Sequence, residues 1–343
     1  MTDKSVNIKD LDIDELTDFL KDLGEKPFRA KQVYGWMYKS AANFSDMTDL
    51  SKDLRKKLDE NAKLYSLTLV DAKESKQDET VKFLYETEDK EAIEAVFMKY
   101  KYGNSICISS QAGCNMGCGF CASGINGLSR NLTPGEMIDQ LLISQMVTGE
   151  EIRHIVVMGT GEPFDNYDNV VKAVKNLTDP AGLALSRRNI TVSTCGIIPF
   201  MTKFSEDLPQ VNLAVSLHAS NDEIRNKIMP INKRYNISDV ISASKEYVKR
   251  TGRRITFEYA LIHGVNDKQE DAYELAGLLK GINCHVNLIP LNTVSEFNYK
   301  STGRKDLDSF KDILEEKNIQ VTIRRELGSD IDAACGQLRL KNM

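Results

Sequence analysis

Apolar residues in this chain follow three successive patterns, and the changes of pattern divide it. Over residues 1–65 they recur every three or four positions, the spacing of a helix face. Ile13, Leu16, Phe19, Leu20 and Leu23 form one such face, and Gly24 ends it. Pro27 is placed to open a second helix, where its missing N–H is no loss, and Val33, Trp36 and Met37 give that helix an apolar side. A third helix is expected over residues 49–61, with Lys52, Arg55, Lys56 and Lys57 outward. The pattern then turns β-like. LTLV, VKFLYE and AIEAVFMKY, the first two separated by the polar run DAKESKQDE, predict a hairpin or short meander that bridges the helical module to the rest.

From residue 105 onward, short apolar runs rich in β-branched residues alternate with amphipathic stretches. Strands are expected at 106–109, 154–159, 189–194, 211–218, 255–262 and 285–290, with a seventh at 320–326 extending the sheet. Between the first two, Thr133 is a good N-cap and Pro134 a good first residue for a helix running to about residue 147. Continuous apolar strands separated by helices imply a buried parallel sheet. Six βα units are too few to close an eight-stranded barrel. The expected fold is therefore α/β: a partial (βα)6 barrel over residues 105–343, a small helical domain over 1–65 and a β-hairpin extension over 66–104. No internal repeat or low-complexity segment interrupts it.

In parallel α/β barrels, functional side chains gather where strands end and loops begin. Cys114, Cys118 and Cys121 follow the first expected strand, and Gly159-Thr-Gly161-Glu162-Pro163 follows the second. Ser193 ends the third, Ser216-Leu217-His218 the fourth, and Asn292 lies just beyond the sixth. Singly these are ordinary, since a GxG is usually a βα turn and a lone histidine is usually a satisfied core residue. Together they describe a polar pocket facing the cysteines.

Three thiolates on one short, glycine-bearing loop can converge on a soft inorganic centre. A 4Fe–4S cluster normally takes four cysteine ligands, and this loop supplies three. One iron would then be open to something that is not protein, as a catalytic metal centre requires and a structural one avoids. The competing reading is structural zinc, which usually shows two spaced Cys or His pairs, and neither a second pair nor a nearby histidine is present.

Composition narrows the class. With 343 residues, 41% hydrophobic and 28% charged, the chain is that of an ordinary globular protein large enough for one α/β domain and an accessory one. No apolar run approaches a membrane span, and the opening MTDKSVNIKD is charged rather than signal-like. Seven cysteines without a secreted framework point to a reducing compartment, so a cytoplasmic location is expected. The net charge of -5 argues mildly against a nucleic-acid partner. Its distribution argues otherwise: residues 21–63 hold ten Lys/Arg against seven Asp/Glu, and bases dominate around Arg225–Lys227, Lys233–Arg234 and Lys249–Arg254. Charge alone leaves RNA binding open, and the lysine-rich third helix makes the 1–65 module its expected site.

The spacing Cys114-x3-Cys118-x2-Cys121, with Phe120 before the last cysteine, resembles the radical S-adenosylmethionine (radical SAM) signature. That resemblance implies a 4Fe–4S cluster whose open iron chelates the amino and carboxylate groups of SAM, and a 5′-deoxyadenosyl radical released on reduction. The stretches CISSQAGCNMGCGFCA, MGTGEP, PINKRYNI and DIDAACGQL further resemble the RlmN/Cfr family of radical SAM RNA methyltransferases, over nearly the whole chain. Pro163 is the residue of the RlmN branch, where Cfr tends to have alanine.

The family resemblance implies an activity. RlmN enzymes methylate C2 of an adenosine in the peptidyl transferase centre of 23S rRNA, and many also act on the tRNA adenosine 3′ of the anticodon. Cfr methylates C8 of the same ribosomal adenosine. Adenine C2 is electron-poor and does not attack the SAM methyl group as an ordinary nucleophile, which explains the use of radical chemistry. By resemblance, Cys335 carries the methyl group to the base, Cys107 resolves the covalent RNA adduct by forming a disulfide with Cys335, and Glu94 accepts the C2 proton. Also by resemblance, Gly161, Glu162, Ser193, Ser216, Leu217, His218 and Asn292 contact SAM, two molecules of which are used per turnover. A flavodoxin or ferredoxin would supply electrons, and the chain is expected to act as a monomer.

Two departures from the family pattern stand out: Leu291-Asn292-Thr293 replaces Trp-Asn-Pro, and no basic tail follows Cys335 before Met343. Cys195 and Cys284 match no family role and read as core residues. Two further readings stay open: a radical SAM enzyme acting on a protein or small molecule, and a non-catalytic iron–sulfur regulator, which would ordinarily close its cluster with a fourth protein ligand.

Overall fold

The computed structural model describes residues 6–39, 41–292, 294, 296–333 and 336–338. The chain opens with a two-residue strand, β1 (Val6–Asn7), followed by helices α1 (Ile13–Asp22), α2 (Arg29–Met37) and α3 (Lys52–Asn61). Asp12 starts α1 with a capping box: its carboxylate accepts the N–H groups of Asp14 and Glu15, and Glu15 returns the bond to its backbone. Helix α2 begins two residues after Pro27, which lies in the preceding turn, where its carbonyl accepts the Ala30 N–H at 3.1 Å. Helix α3 begins at Lys52 rather than residue 49, because Ser51 caps it by accepting the Leu54 N–H at 3.2 Å. Strand β2 (Ala62–Lys63) then pairs parallel with β1, a contact that helical periodicity could not reveal.

Strands β3 (Leu67–Glu74), β4 (Val81–Thr87) and β5 (Ala92–Tyr100) form an antiparallel meander. β3 runs on through much of the polar run expected to be a loop. It is the outermost strand of its sheet, mostly exposed, so polar residues on both faces cost it nothing. Nor is the meander a separate bridge. β5 pairs antiparallel with β6 (Gly103–Ile108), which pairs parallel with the strand at His154–Val157. One ten-stranded sheet results.

Past β6 the chain makes a small antiparallel hairpin, β7 (Gln111–Gly113) and β8 (Leu128–Asn131), whose long connection carries the three cysteines. Helix α4 (Pro134–Thr148) follows, capped by Thr133 as expected. Strand and helix then alternate: β9 (His154–Val157), α5 (Tyr167–Thr178), β10 (Ile190–Thr194), α6 (Ile198–Asp207), β11 (Asn212–Ser216), α7 (Asp222–Ile228), α8 (Ile237–Thr251), β12 (Ile255–Leu261), α9 (Gln269–Leu279), β13 (Cys284–Pro290), α10 (Arg304–Glu316) and β14 (Gln320–Ile323). From β6 to β14 all neighbours are parallel and in sequence order, and β14 does not return to β6. The barrel is therefore partial. Leu327, Ala333 and Leu338 pack against Val96, Met98 and Cys107, so the C-terminal segment lies against the meander edge of the barrel interior.

The helical module is anchored on α4 and α5. Lys9 reaches the Asp139 carboxylate at 2.6 Å with both side chains fully buried, also donates to the Leu64 carbonyl, and lies over the Tyr65 ring. The Ser66 N–H gives Asp139 a second donor at 2.7 Å. Asp10 accepts the Gly135 N–H in the first turn of α4, and Asn176 of α5 donates to the carbonyls of Lys9 and Leu11. Among the described residues no helix is long and apolar enough to cross a membrane.

Candidate active site

Hydrogen bonds fix both ends of the cysteine loop. The Cys114 N–H donates to the Gly127 carbonyl at 2.9 Å, closing its base. Gly113 lies at φ +81°, where a Cβ would run into that same carbonyl, so only glycine fits. The Gly119 N–H donates to the Ile228 carbonyl at the end of α7, and the Ala122 N–H to the Gly336 carbonyl in the C-terminal segment, at 2.9 and 2.8 Å. The loop thus spans from the fourth barrel helix to the chain's end.

The three cysteines line one cavity of about 1030 Å³, open to solvent, together with the strand-end residues. Gly161, Glu162, Ser193, Ser216, His218 and Asn292 all face it. This follows from strand alternation: Ser193 on β10 and Ser216 on β11 point inward, their hydroxyls 3.4 Å apart. Leu217, next along, points the other way into the apolar core and is fully buried. Its backbone is also committed, the N–H to the Glu258 carbonyl and the carbonyl to Arg225. His218 returns to the cavity by adopting φ +55°.

Two buried groups are held by hydrogen bonds and shifted by burial. His218 Nδ1 accepts the Ala260 N–H at 2.9 Å, so the neutral ring carries its proton on Nε2. Burial, and next the Arg225 charge, push its pKa down to about 3. Glu162 accepts the N–H groups of Cys195 at 2.8 Å and Phe164 at 3.1 Å, and burial raises its pKa. Its own N–H donates to Gln111, holding the Gly-Glu-Pro turn against β7.

The donor set suits an iron–sulfur cluster. Burial raises the thiols of Cys114, to about 12, and Cys118, and each feels its neighbouring cysteines. Ligation must therefore displace protons, as thiolate coordination does. Among the described residues no three His, Cys, Asp or Glu side chains converge on a point that would hold a single metal ion. Three soft donors lining one cavity suit the thiolate ligation of an iron–sulfur cluster.

Two further expected residues, Cys107 and Glu94, are not among those lining this cavity. Cys107 does not line it: it is buried on β6 among Val96, Met98, Leu327, Ala333 and Leu338. Cys335 lies outside the described residues, as does Thr293, but Ala333 and Leu338 on either side of Cys335 both belong to the Cys107 cluster. Glu94 faces a smaller neighbouring cavity with Gly113, Ser123, Asn126 and Thr160. Lys82 Nζ sits 3.0 Å from the Glu94 carboxylate and 3.3 Å from the Asp332 carbonyl, linking β4, β5 and the C-terminal segment.

Several cavity residues escaped sequence reasoning. Cys284 and Cys195 are both buried in apolar clusters as expected, and Cys195 also lines the cavity close to Cys118. Glu258, in register with Ser216, forms part of the cavity lining and accepts a hydrogen bond from Asn287 at 2.9 Å. Its signal was visible, since a carboxylate in the apolar strand ITFEYAL needs a reason. Phe120, between two of the cysteines, meets the His218 ring edge-on at 5.0 Å.

Comparison with known proteins agrees with this geometry. Residues 6–64 match the family model for the ribosomal RNA large subunit methyltransferase N-terminal domain, and residues 108–276 match the radical SAM superfamily. A relative from Lachnospira eligens, named a probable dual-specificity RNA methyltransferase RlmN, is 51% identical over 98% of this chain and 97% of its own. One of the same name from Caldanaerobacter subterraneus is 51% identical over 98% of both chains. The crystal structure of a radical SAM methyltransferase from Sphaerobacter thermophilus superposes with a TM-score of 0.95 at 43% identity, covering 97% of this chain and 99% of that one. A full-length match in sequence and fold, around a three-cysteine cavity, makes this chain a SAM-dependent methyltransferase with a 4Fe–4S cluster, a member of the RlmN family of the radical SAM superfamily.

Proposed function

We propose that this enzyme methylates C2 of an adenosine in the peptidyl transferase centre of 23S rRNA, and of the tRNA adenosine 3′ of the anticodon. It would work as a monomer in the cytoplasm, with flavodoxin or ferredoxin as electron donor. Cys114, Cys118 and Cys121 hold the cluster, and Gly161, Glu162, Ser193, Ser216, His218 and Asn292 surround SAM. Together these cofactors supply the methyl group and one-electron chemistry that can functionalise an electron-poor carbon.

The chain's own residues have separate duties. Cys335 carries the methyl group to the base. Glu94 takes the C2 proton, and the Lys82 ammonium pairs with it at 3.0 Å. Cys107, as the thiolate, attacks the Cys335 sulfur of the adduct; the C–S bond to the base's new carbon breaks, that carbon takes up a proton to become the methyl group, and the two sulfurs end as a disulfide. The Leu217 side chain supports the strand end from the core.

The observation that carries this reading is the Cys107 cluster. A cysteine needed to resolve an adduct on Cys335 should lie against the segment that bears it, and Cys107 packs on Ala333 and Leu338. A protein- or small-molecule-modifying enzyme has no use for that pairing. The test is that two mutants fail differently. Cys335→Ala should carry no protein-bound methyl group and form no RNA adduct, whereas Cys107→Ala should accept the methyl group and stall as a covalent protein–RNA species on denaturing gels. Turnover of either at the wild-type rate would refute the assignment, and nucleoside mass spectrometry separates C2 from C8 methylation.

A further inference from the structure

Arg225 is the largest fully buried side chain in the protein, at 0% exposure. It lies on α7, three residues before the Ile228 carbonyl that holds Gly119 of the cysteine loop. All five of its N–H donors are used. Nε donates to the Leu217 carbonyl at 3.1 Å, Nη1 to Asn232 Oδ1 and the Tyr235 carbonyl at 3.0 and 3.2 Å, and Nη2 to the Cys195 and Ser216 carbonyls at 2.7 and 3.3 Å.

Every one of these acceptors is neutral. Among the described residues Arg225 has no carboxylate partner, and nearby Asp222 is occupied by Asn232 and the Ile237 N–H, both at 2.9 Å. A guanidinium removed from water costs several kcal/mol, and buried charges are normally paired. Neutral acceptors satisfy its hydrogen bonds, and the Asp222 carboxylate acts on its charge only from across Asn232. Its neighbours indicate where the balancing charge belongs. Cys195, whose carbonyl it grips, lines the cavity, and Cys118 packs against Ile228 and Cys195 in one apolar cluster. Arg225 and Cys118 are near enough to interact electrostatically in that low-dielectric wall.

We propose that Arg225 is a positioning residue whose charge, touched by no carboxylate, helps balance the anionic, thiolate-ligated cluster and makes its reduction easier. The same side chain clasps the ends of β10 and β11, which carry Ser193 and Ser216. A cation next to the centre stabilises its more negative, reduced form over the oxidised one, and the anion in turn relieves the burial cost of the cation. The inference rests on Cys118 being a cluster ligand.

The test uses full-length protein reconstituted anaerobically with iron and sulfide, titrated against redox mediators and read by electron paramagnetic resonance. At the wild-type midpoint, Arg225→Gln should lower the ratio of reduced to oxidised cluster about tenfold, equivalent to ~59 mV for a one-electron couple. Iron per chain should be unchanged. Arg225→Lys, which keeps the charge but loses the fork, should stay close to wild type. Asn232→Asp sets a carboxylate against Nη1 without removing the arginine, and it should lower the ratio even if the glutamine variant does not fold. A glutamine variant with the wild-type midpoint, a lysine variant that falls as far as glutamine, or an inert Asn232→Asp would each overturn the proposal. Full iron in Cys118→Ala would instead remove its premise, so the two failures are distinguishable.

Discussion

Each cavity residue is held by its backbone conformation and its neighbours, and both can be tested. Gly161 sits at φ +109°, where a Cβ would lie 2.6 Å from the Gln111 side chain and 2.9 Å from its backbone nitrogen. Both the strain and the clash fall on the turn that presents Glu162. Gly161→Ala should therefore weaken SAM binding at least tenfold by calorimetry, with the iron content intact. His218 offers a pH test. Its folded pKa, about 3, lies below the ordinary value of 6.5, so between these pH values the unfolded chain binds a proton that the folded chain refuses. Stability contributed by His218 is thus present above pH 6.5 and lost as pH falls towards 3, at about 1.4 kcal/mol per pH unit. Asparagine tolerates the left-handed backbone at this position. His218→Asn should unfold at a denaturant midpoint that declines less between pH 7 and 4 than that of the wild type, and parallel declines would contradict the buried neutral ring.

Among the elements, α4 does the most to join the molecule. Its first turn meets Asp10, and Asp139 on its buried face holds Lys9. Burial pulls both partners towards their neutral forms, against their mutual attraction. Breaking a buried pair from one side typically costs about 3–5 kcal/mol, because the remaining group is left without compensation. Lys9→Met should accordingly lower the urea midpoint sharply, and adding Asp139→Leu should recover much of the loss. Equal losses in the single and double variants would mean that the pair does not set the module's position. Deleting residues 1–65 would also strand Asp139, so point variants report on RNA binding more cleanly than truncation. The meander needs the same reading as part of a larger element: β5 supplies Glu94 and β4 supplies Lys82 to one face of the main sheet.

For the whole molecule, the question is where a large RNA would rest. The lysine-rich third helix is the obvious candidate from sequence, but its bases are largely engaged. Lys56 pairs with Glu60, Lys57 with Glu25 and Asp53, and Arg55 donates to the Ser45 carbonyl. Around α2, Lys39 lies over the Trp36 ring and Arg29 over Phe28, which is 55% exposed. Exposed bases beside an exposed ring suit a flexible strand, with phosphate contacts and stacking together. Arg29→Glu with Lys39→Glu should therefore reduce RNA affinity and flatten its salt dependence more than Lys56→Glu with Lys57→Glu. The reverse order, measured by filter binding across salt, would return the interface to α3. At this scale too, the proposed function requires the target adenosine to leave its stack, because its C2 would not reach a barrel cavity from within a helix. Substrates locking it in a stable duplex should react poorly.

The sequence by itself determined the periodic elements, the parallel barrel and the cysteine loop, because each is encoded locally. Strand alternation brings Ser193 and Ser216 inward, Thr133 and Pro134 start α4, and three thiols eight residues apart at most need no distant partner to be recognised. Alternation also predicts that Leu217 turns away from the cavity, where motif resemblance alone placed it among the contacts. Tertiary structure decided what depends on residues far apart in the chain. Strand β3 continues through polar residues because it is an edge, and edge position is a property of the whole sheet. Cys107 meets the C-terminal segment only because β14 does not close on β6 and that segment packs inside. Arg225 looked like one base in a solvated run. It is instead a buried charge, since α7 folds back over the ends of β10 and β11, and no local pattern distinguishes a guanidinium in water from one beneath a cavity wall.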